Sequence, residues 1–160
     1  MRAFYILVVL TVCCLLQAIA AKYLFFANIR FEFVIIAVVF FSLRIDILPA
    51  AMVGVAGGLL RDTLSSAAFG SSALSLFILA VVLSWNRRVL SASTATTQAI
   101  MVASATLFYY LVSGIIEAVS GGGQFPASFM VKYIGPAIVA NALVAPLCFM
   151  IMGFIDHEMA

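Results

Sequence analysis

The sequence predicts an all-α protein that crosses a membrane several times as a bundle of helices. Of its 160 residues, 66% are hydrophobic and 9% are charged, whereas a soluble domain is only about half apolar. The few charged residues divide the chain into apolar segments of helical length. At roughly 20 residues per crossing, the chain supplies about six transmembrane helices and leaves nothing for a soluble catalytic domain.

Four predicted spans are bounded by charged residues, because an ionisable side chain at the bilayer centre costs about 2.5 to 3.5 kcal/mol. They cover residues 3–21, 67–85, 98–117 and 133–155. The first of them ends in Ala18-Ile19-Ala20, which also fits a signal-peptidase site. Cleavage and retention are both compatible with that pattern, and the apolar character of the remaining chain favours a retained first helix.

The apolar region that follows the first span contains Arg44, Asp46 and Pro49. As one span, it would bury both charges near the bilayer centre. As two short helices, over residues 33–43 and 47–60, it places the charges in an interfacial turn and the proline in a first helical turn, where its missing N–H is harmless. We therefore predict two helices here and six spans in total, with the short pair supported by neighbouring helices or by a locally thinner bilayer.

The third predicted helix has a face of small residues. Ala50, Gly54 and Gly58 recur at four-residue spacing, and Gly57 is adjacent. In lipid, helices associate through close packing, and small residues let two backbones approach each other. This face is therefore predicted to pack against a helix, either within this chain, which we favour, or in a partner protein.

A charged pair, Arg61-Asp62, follows these glycines, and Gly70 comes shortly after it. Adjacent residues point to different sides of a helix, so Arg61 and Asp62 cannot both face lipid at low cost. One of them is expected to face the interior of the bundle. The alternative is an interfacial loop in which both charges are solvated.

The last span repeats the small-residue spacing around a polar side chain. Ala137, Asn141 and Ala145 are four residues apart, and Pro146 interrupts the helix. An asparagine inside hydrocarbon must hydrogen-bond to another helix, an interaction worth about 0.6 to 2 kcal/mol. We predict that Asn141 is a structural clamp, and that Gln17 in the first span is a clamp of the same kind.

The residue inventory argues against catalysis, a metal site, a cofactor or a nucleic-acid partner. His157 lies outside every predicted span, and the predicted topology separates Asp46 from Asp62, so neither a Ser/His hydrolase nor an aspartyl pair is available. Glu117 ends the fifth helix, where a solvated carboxylate is favoured over a proton relay. The net charge is only +2 and no basic run is longer than Arg87-Arg88, which is too little to suggest a nucleic-acid partner.

Lys and Arg positions give no orientation by themselves. Six spans divide these residues equally between the two faces: Arg2, Arg44, Arg87 and Arg88 on one, Lys22, Arg30, Arg61 and Lys132 on the other. The adjacent pair Arg87-Arg88 mildly favours the first face as cytoplasmic, which would place both termini in the cytoplasm.

The order of these motifs resembles the MreD family of bacterial rod shape-determining membrane proteins. Three stretches carry the resemblance: Leu15-Leu16-Gln17, the glycine-rich helix with Arg61-Asp62 and Phe69-Gly70, and the last helix from Pro136 through Asn141 to Leu147. Phe31-Glu32 stands where that family often has Pro-Asp.

The resemblance implies a non-catalytic, multi-pass subunit of the bacterial cytoplasmic membrane. Its implied fold is similar to the substrate-capture subunits of energy-coupling-factor transporters. Its implied partners are MreC, and indirectly the elongation-specific transpeptidase, the glycosyltransferase and MreB. The alternative is a ligand-capture subunit of a vitamin transporter, for which the chain offers few polar candidates: Asn28, Glu32, Glu117 and Gln124.

Overall fold

The protein is a bundle of α-helices, as the sequence predicted. The computed structural model describes residues 2–23, 31–64, 69–88, 90, 94–119 and 134–158, and it contains no β-strand in those ranges. The helices are α1 (Arg2–Tyr23), α2 (Phe33–Ser42), α3 (Ile47–Leu64), α4 (Ser71–Trp85), α5 (Ala95–Val119) and α6 (Gly135–Glu158).

Four of the helices, α1, α3, α5 and α6, are long and apolar enough to cross a membrane. The other two are shorter, with 10 residues in α2 and 15 in α4. At 1.5 Å per residue they are about 15 and 22 Å long, less than the roughly 30 Å of a bilayer's hydrocarbon core. The protein is therefore a membrane protein in which helices of unequal length pack together.

The central helix of the bundle is α2. Every side chain from Val34 to Ser42 is buried, and α2 contacts each of the other five helices. Its sequence is a run of Val, Ile, Ala and Phe with one serine, and a helix that is apolar on all sides must be buried on all sides. Because α2 is enclosed by protein, its short length leaves no polar end exposed to lipid.

Successive helices run in opposite directions, and polar contacts show which helix ends lie together. At the end of the bundle that carries residues 43–46, which we call the turn end, Arg44 Nη1 lies 2.8 Å from Asp156 Oδ2 in α6. Asp46 forms an ion pair with Arg87 after α4, and Tyr5 Oη in α1 donates to a carbonyl of α6 at 3.2 Å. The two-helix interpretation of this region is therefore correct.

The glycine face of α3 packs against α4. A Cβ atom added at Gly54 would lie 2.5 Å from the carbonyl oxygen of Leu76, and one at Gly58 would lie 2.2 Å from Ala73 Cα. Both distances are shorter than any van der Waals contact allows, so the two backbones touch. Gly57 faces the opposite way, toward Val34 in α2. The small-residue face thus packs within this chain.

Most helix boundaries differ from the predicted spans by a few residues. One difference concerns a charged residue: α3 continues to Leu64, whereas the predicted span ends at residue 60. The prediction stops before Arg61 because that residue is charged, but its charge is paired inside the bundle. The first residues of two other predicted spans, 67–68 and 133, lie outside the described residues.

Replacing Gly58 by Ala should destabilise the bundle, because the new methyl group would overlap the backbone of α4. Overpacking of this kind costs about 1 to 3 kcal/mol, which should appear as a lower thermal midpoint in detergent. Gly114→Ala is the matched control, since a Cβ there meets nothing within 4 Å. Equal midpoints for the two variants would contradict the close approach of α3 and α4.

Candidate functional site

Glu32, directly before α2, is the centre of a buried polar cluster. Its side chain is only 2% exposed, and three donors from three helices reach its carboxylate. Arg61 Nη2 and Tyr110 Oη each lie 2.8 Å from Oε1, and Gln17 Nε2 lies 2.6 Å from Oε2. A buried carboxylate is tolerated only when it is paired and hydrogen-bonded, and this one is both.

The backbone at the start of α2 is held at the same point. The N–H of Glu32 donates to Asn141 Oδ1 at 2.9 Å, and the N–H of Val34 donates to Gln17 Oε1 at 3.3 Å. The first N–H groups of a helix have no partner within the helix itself. Asn141 and Gln17 are thus clamps between helices, the role predicted for both. We call Gln17, Glu32, Arg61, Tyr110 and Asn141 together the Glu32 node.

The Glu32 node lies at a depth that a membrane would cover. Gln17, Arg61 and Tyr110 follow the turn-end starts of their helices by 15, 14 and 15 residues, or about 21 to 23 Å. All three lie within helices that are long and apolar enough to cross a membrane, whose hydrocarbon core is about 30 Å thick. Ionisable groups at such a depth are rare and mark functional or structural centres.

Arg61 connects the node to α4 and α5. Its guanidinium carbon lies 4.4 Å from the centre of the Tyr109 ring, a cation–π contact. The Tyr109 hydroxyl is 3.0 Å from Ser72 Oγ at the start of α4. Among the described groups, Arg61 Nη1 is buried and has no hydrogen-bond acceptor. One donor of the node is therefore not satisfied by the described part of the chain.

Asp62 has a separate role from its neighbour. It is 3% exposed, and its Oδ2 accepts from the N–H of Gly70 at 2.8 Å, while Oδ1 accepts from that of Ser72 at 3.3 Å. A carboxylate at a helix N-terminus satisfies free N–H groups and favours the helix dipole. Gly70 has φ +96°, a left-handed conformation that favours glycine.

The prediction for the Arg61-Asp62 pair was too limited. We expected one of the two to face the bundle interior, and the structure places both there, with Arg61 on Glu32 and Asp62 on the start of α4. The loop alternative is wrong, because both residues lie within α3. Because the two residues are adjacent, their side chains point to different sides of α3, as predicted. They therefore contact different parts of the bundle.

The remaining residues singled out in the sequence form no further polar cluster among the described residues. Ala50 and Ala145 are fully buried, and Pro146 lies inside α6. Asp46 and Asp62 are near opposite ends of α3. Asn28, Gln124 and the side chains of Glu117 and His157 are outside the described part of the chain. Within it, no group of three or more His, Cys, Asp or Glu side chains could hold a metal ion.

Sequence reasoning missed the central role of Glu32, although one signal could have found it. Glu32 and Arg61 lie at similar distances, 13 and 15 residues, from the turn at Ile45 and Asp46. In a hairpin of two antiparallel helices, residues equally far from the turn lie at the same depth. Opposite charges placed in this way predict an ion pair. No comparable pattern identifies Tyr109 or Tyr110.

Comparison of the chain with protein-family models, with curated proteins and with solved structures finds no match in any of the three. The fold and the node together define a helical membrane protein whose six described helices are connected through buried polar contacts. Any more specific function has to be argued from these residues and from the motif order of the chain.

Removing Arg61 alone should destabilise the protein more than removing both charges of the pair. Arg61→Leu leaves the Glu32 carboxylate buried without its counter-ion, a change that costs about 3 to 5 kcal/mol. Glu32→Gln combined with Arg61→Leu leaves no unpaired charge, so its thermal midpoint in detergent should be higher than that of the single variant. A double variant less stable than Arg61→Leu would mean that the carboxylate is stabilised by the other donors alone.

Asp62→Ala should loosen the start of α4, at a cost of about 0.5 to 2 kcal/mol, because it removes the acceptor for the first N–H groups. Hydrogen–deuterium exchange at the amides of Ser72 and Ala73 should be faster in this variant. Asp62→Asn retains a side-chain oxygen and should exchange more slowly than Asp62→Ala. Unchanged exchange in both variants would show that the cap does not stabilise α4.

Proposed function

We propose that this chain is a non-catalytic membrane subunit of the bacterial rod, or elongation, complex, of the MreD type. In this role it binds MreC and helps to control peptidoglycan synthesis and cell shape. The proposal rests on the order of motifs along the chain, and the six-helix architecture is compatible with it.

The observation that supports this function best is how the motif residues are used. Gly54 and Gly58 bring two backbones together, Asp62 caps a helix, and Arg61 and Asn141 connect helices at Glu32. The polar groups of the motifs are thus engaged in holding helices in position. This use suits an assembly subunit, whose function depends on a fixed arrangement of helix surfaces.

Partner binding in this proposal takes place on the outer faces of the bundle. Large apolar side chains are exposed there, among them Val12 in α1, Met52 in α3 and Leu143 in α6. In a membrane such faces meet either lipid or the helices of another protein. A bundle held in one arrangement would bind MreC there and bias the cell-wall synthase toward its active arrangement.

The position of Arg61 supports an orientation with both termini in the cytoplasm. Its side chain belongs to the bundle interior, so it no longer counts among the loop charges. The predicted six-span topology then assigns four basic residues to the face of the turn end, Arg2, Arg44, Arg87 and Arg88, and three to the other face, Lys22, Arg30 and Lys132. The positive-inside rule favours the turn end as cytoplasmic, here the cytoplasmic face of a bacterial inner membrane.

A ligand-capture subunit of a micronutrient transporter is the second candidate. The observation in its favour is the buried Arg61 Nη1, which lacks an acceptor among the described groups. A ligand oxygen is one group that could satisfy such a donor. The first candidate is preferred because the Glu32 carboxylate, the strongest acceptor nearby, is already occupied by three donors of the chain.

Purification of the tagged chain in mild detergent should recover MreC in stoichiometric amount, together with a transpeptidase or glycosyltransferase of wall elongation. Mass spectrometry identifies the recovered proteins. Recovery of paired ATPases with a coupling subunit would instead make the chain a transporter component.

Bulky substitutions on the outer faces should locate the binding surface. Val12→Trp, Met52→Trp and Leu143→Trp enlarge exposed side chains on three different helices and should leave the thermal midpoint nearly unchanged. One of them should reduce MreC recovery by about tenfold, equivalent to about 1.4 kcal/mol of binding free energy, while the other two serve as its matched controls. Full recovery with all three would exclude these faces.

A further inference from the structure

The short central helix cannot be a membrane-spanning segment by itself. At 10 residues, or about 15 Å, α2 reaches halfway across the hydrocarbon core. Glu32 at its start then lies within the hydrophobic part of the bundle, where an unpaired charge is expensive. The position of α2 therefore depends on groups that other helices supply.

The ion pair with Arg61 differs from the other ion pairs among the described residues. At the turn end, the Arg44–Asp156 and Asp46–Arg87 pairs are substantially exposed, and exposed pairs contribute about 0 to 1 kcal/mol each. The Glu32–Arg61 pair has side-chain exposures of 2% and 15%. Breaking a buried pair by removing one partner is far more costly than breaking an exposed one.

The two residues of the ion pair belong to consecutive parts of the chain, since α2 and α3 are joined by a short turn. The four residues 43–46 join them, and Arg61 lies on α3 at the depth of Glu32. The glycine face anchors α3 in turn on α4 through backbone contact. Arg61 therefore supplies the one positive charge of the Glu32 node from a helix that is itself anchored, while Gln17, Tyr110 and Asn141 contribute neutral hydrogen bonds.

We propose that the position of α2 inside the bundle depends on the Glu32–Arg61 ion pair. This pair is the latch that keeps the N-terminal end of α2 in the core. When the latch is broken, the first turns of α2 leave the core at the node while the other helices stay packed. This inference concerns the architecture and does not depend on the proposed function.

A pair of cysteine reporters tests the latch in the full-length chain. Val34 at the start of α2 and Val102 in α5 are both 0% exposed, and each is replaced by Cys in a background in which Cys13, Cys14 and Cys148 are Ala. The proteins are reconstituted in phospholipid vesicles. A membrane-impermeant maleimide is introduced on both sides by freezing and thawing, and the labelled fraction is followed by intact-mass spectrometry.

Both reporters should be protected in the background chain. Adding Arg61→Leu should raise the labelling rate of Val34→Cys by at least about tenfold, since the population of an open state rises tenfold for each 1.4 kcal/mol lost by the closed state. The rate for Val102→Cys should stay unchanged. Adding Glu32→Gln to Arg61→Leu should restore most of the protection of Val34→Cys, because no unpaired charge remains.

Three results would overturn the proposal. No increase at Val34→Cys would mean that packing alone holds α2. An equal increase at Val102→Cys would mean that the pair stabilises the whole bundle and not α2 in particular. A double variant as exposed as Arg61→Leu would exclude charge pairing as the cause. If Arg61→Leu fails to fold, Arg61→Lys weakens the same pair without removing the charge, because Lys lacks the planar guanidinium, and an increase of about threefold is expected at Val34→Cys only.

Discussion

A carboxylate inside a membrane protein has to be surrounded by donors, and that requirement organises this bundle. Glu32 receives hydrogen bonds from α1, α3 and α5, and its backbone N–H donates to Asn141 in α6. Arg61 extends the same set of contacts through Tyr109 to Ser72 in α4. The six described helices are thus connected to one anion, five of them at Glu32 itself and α4 through Arg61 and Tyr109. A buried polar network whose members are satisfied specifies one arrangement of the elements that it joins.

The second constraint is the contact between the backbones of α3 and α4. Gly54 and Gly58 remove the side chains that would hold these helices apart, and Asp62 joins the same two helices by capping the start of α4. Two different kinds of interaction therefore act on one helix pair, one by dispersion and one by charge-assisted hydrogen bonding. Arg61 lies between them along the chain, so the anchoring of α3 also positions the partner of Glu32.

The general architecture could be predicted from the sequence because charge and hydropathy decide where a chain can cross a bilayer. The turn around Arg44 and Asp46 followed from the same rule, and so did the need of Asn141 for a partner. The rule failed at Arg61, since it assumes that a charge faces water. A paired charge in a protein interior follows a different rule. The partner of Arg61 lies 29 residues away in sequence, so it is found only by matching residues across the turn between α2 and α3, and the hydropathy pattern does not contain that information.

Because α2 is buried, lipid acts on it only indirectly, through the other helices. Its side chains from Val34 to Ser42 contact only other parts of the chain, so a change in bilayer thickness or composition reaches α2 only through the surrounding helices. Those helices can tilt to match the membrane, as hydrophobic mismatch requires. The helix at the centre of such a tilt is one that lipid does not contact.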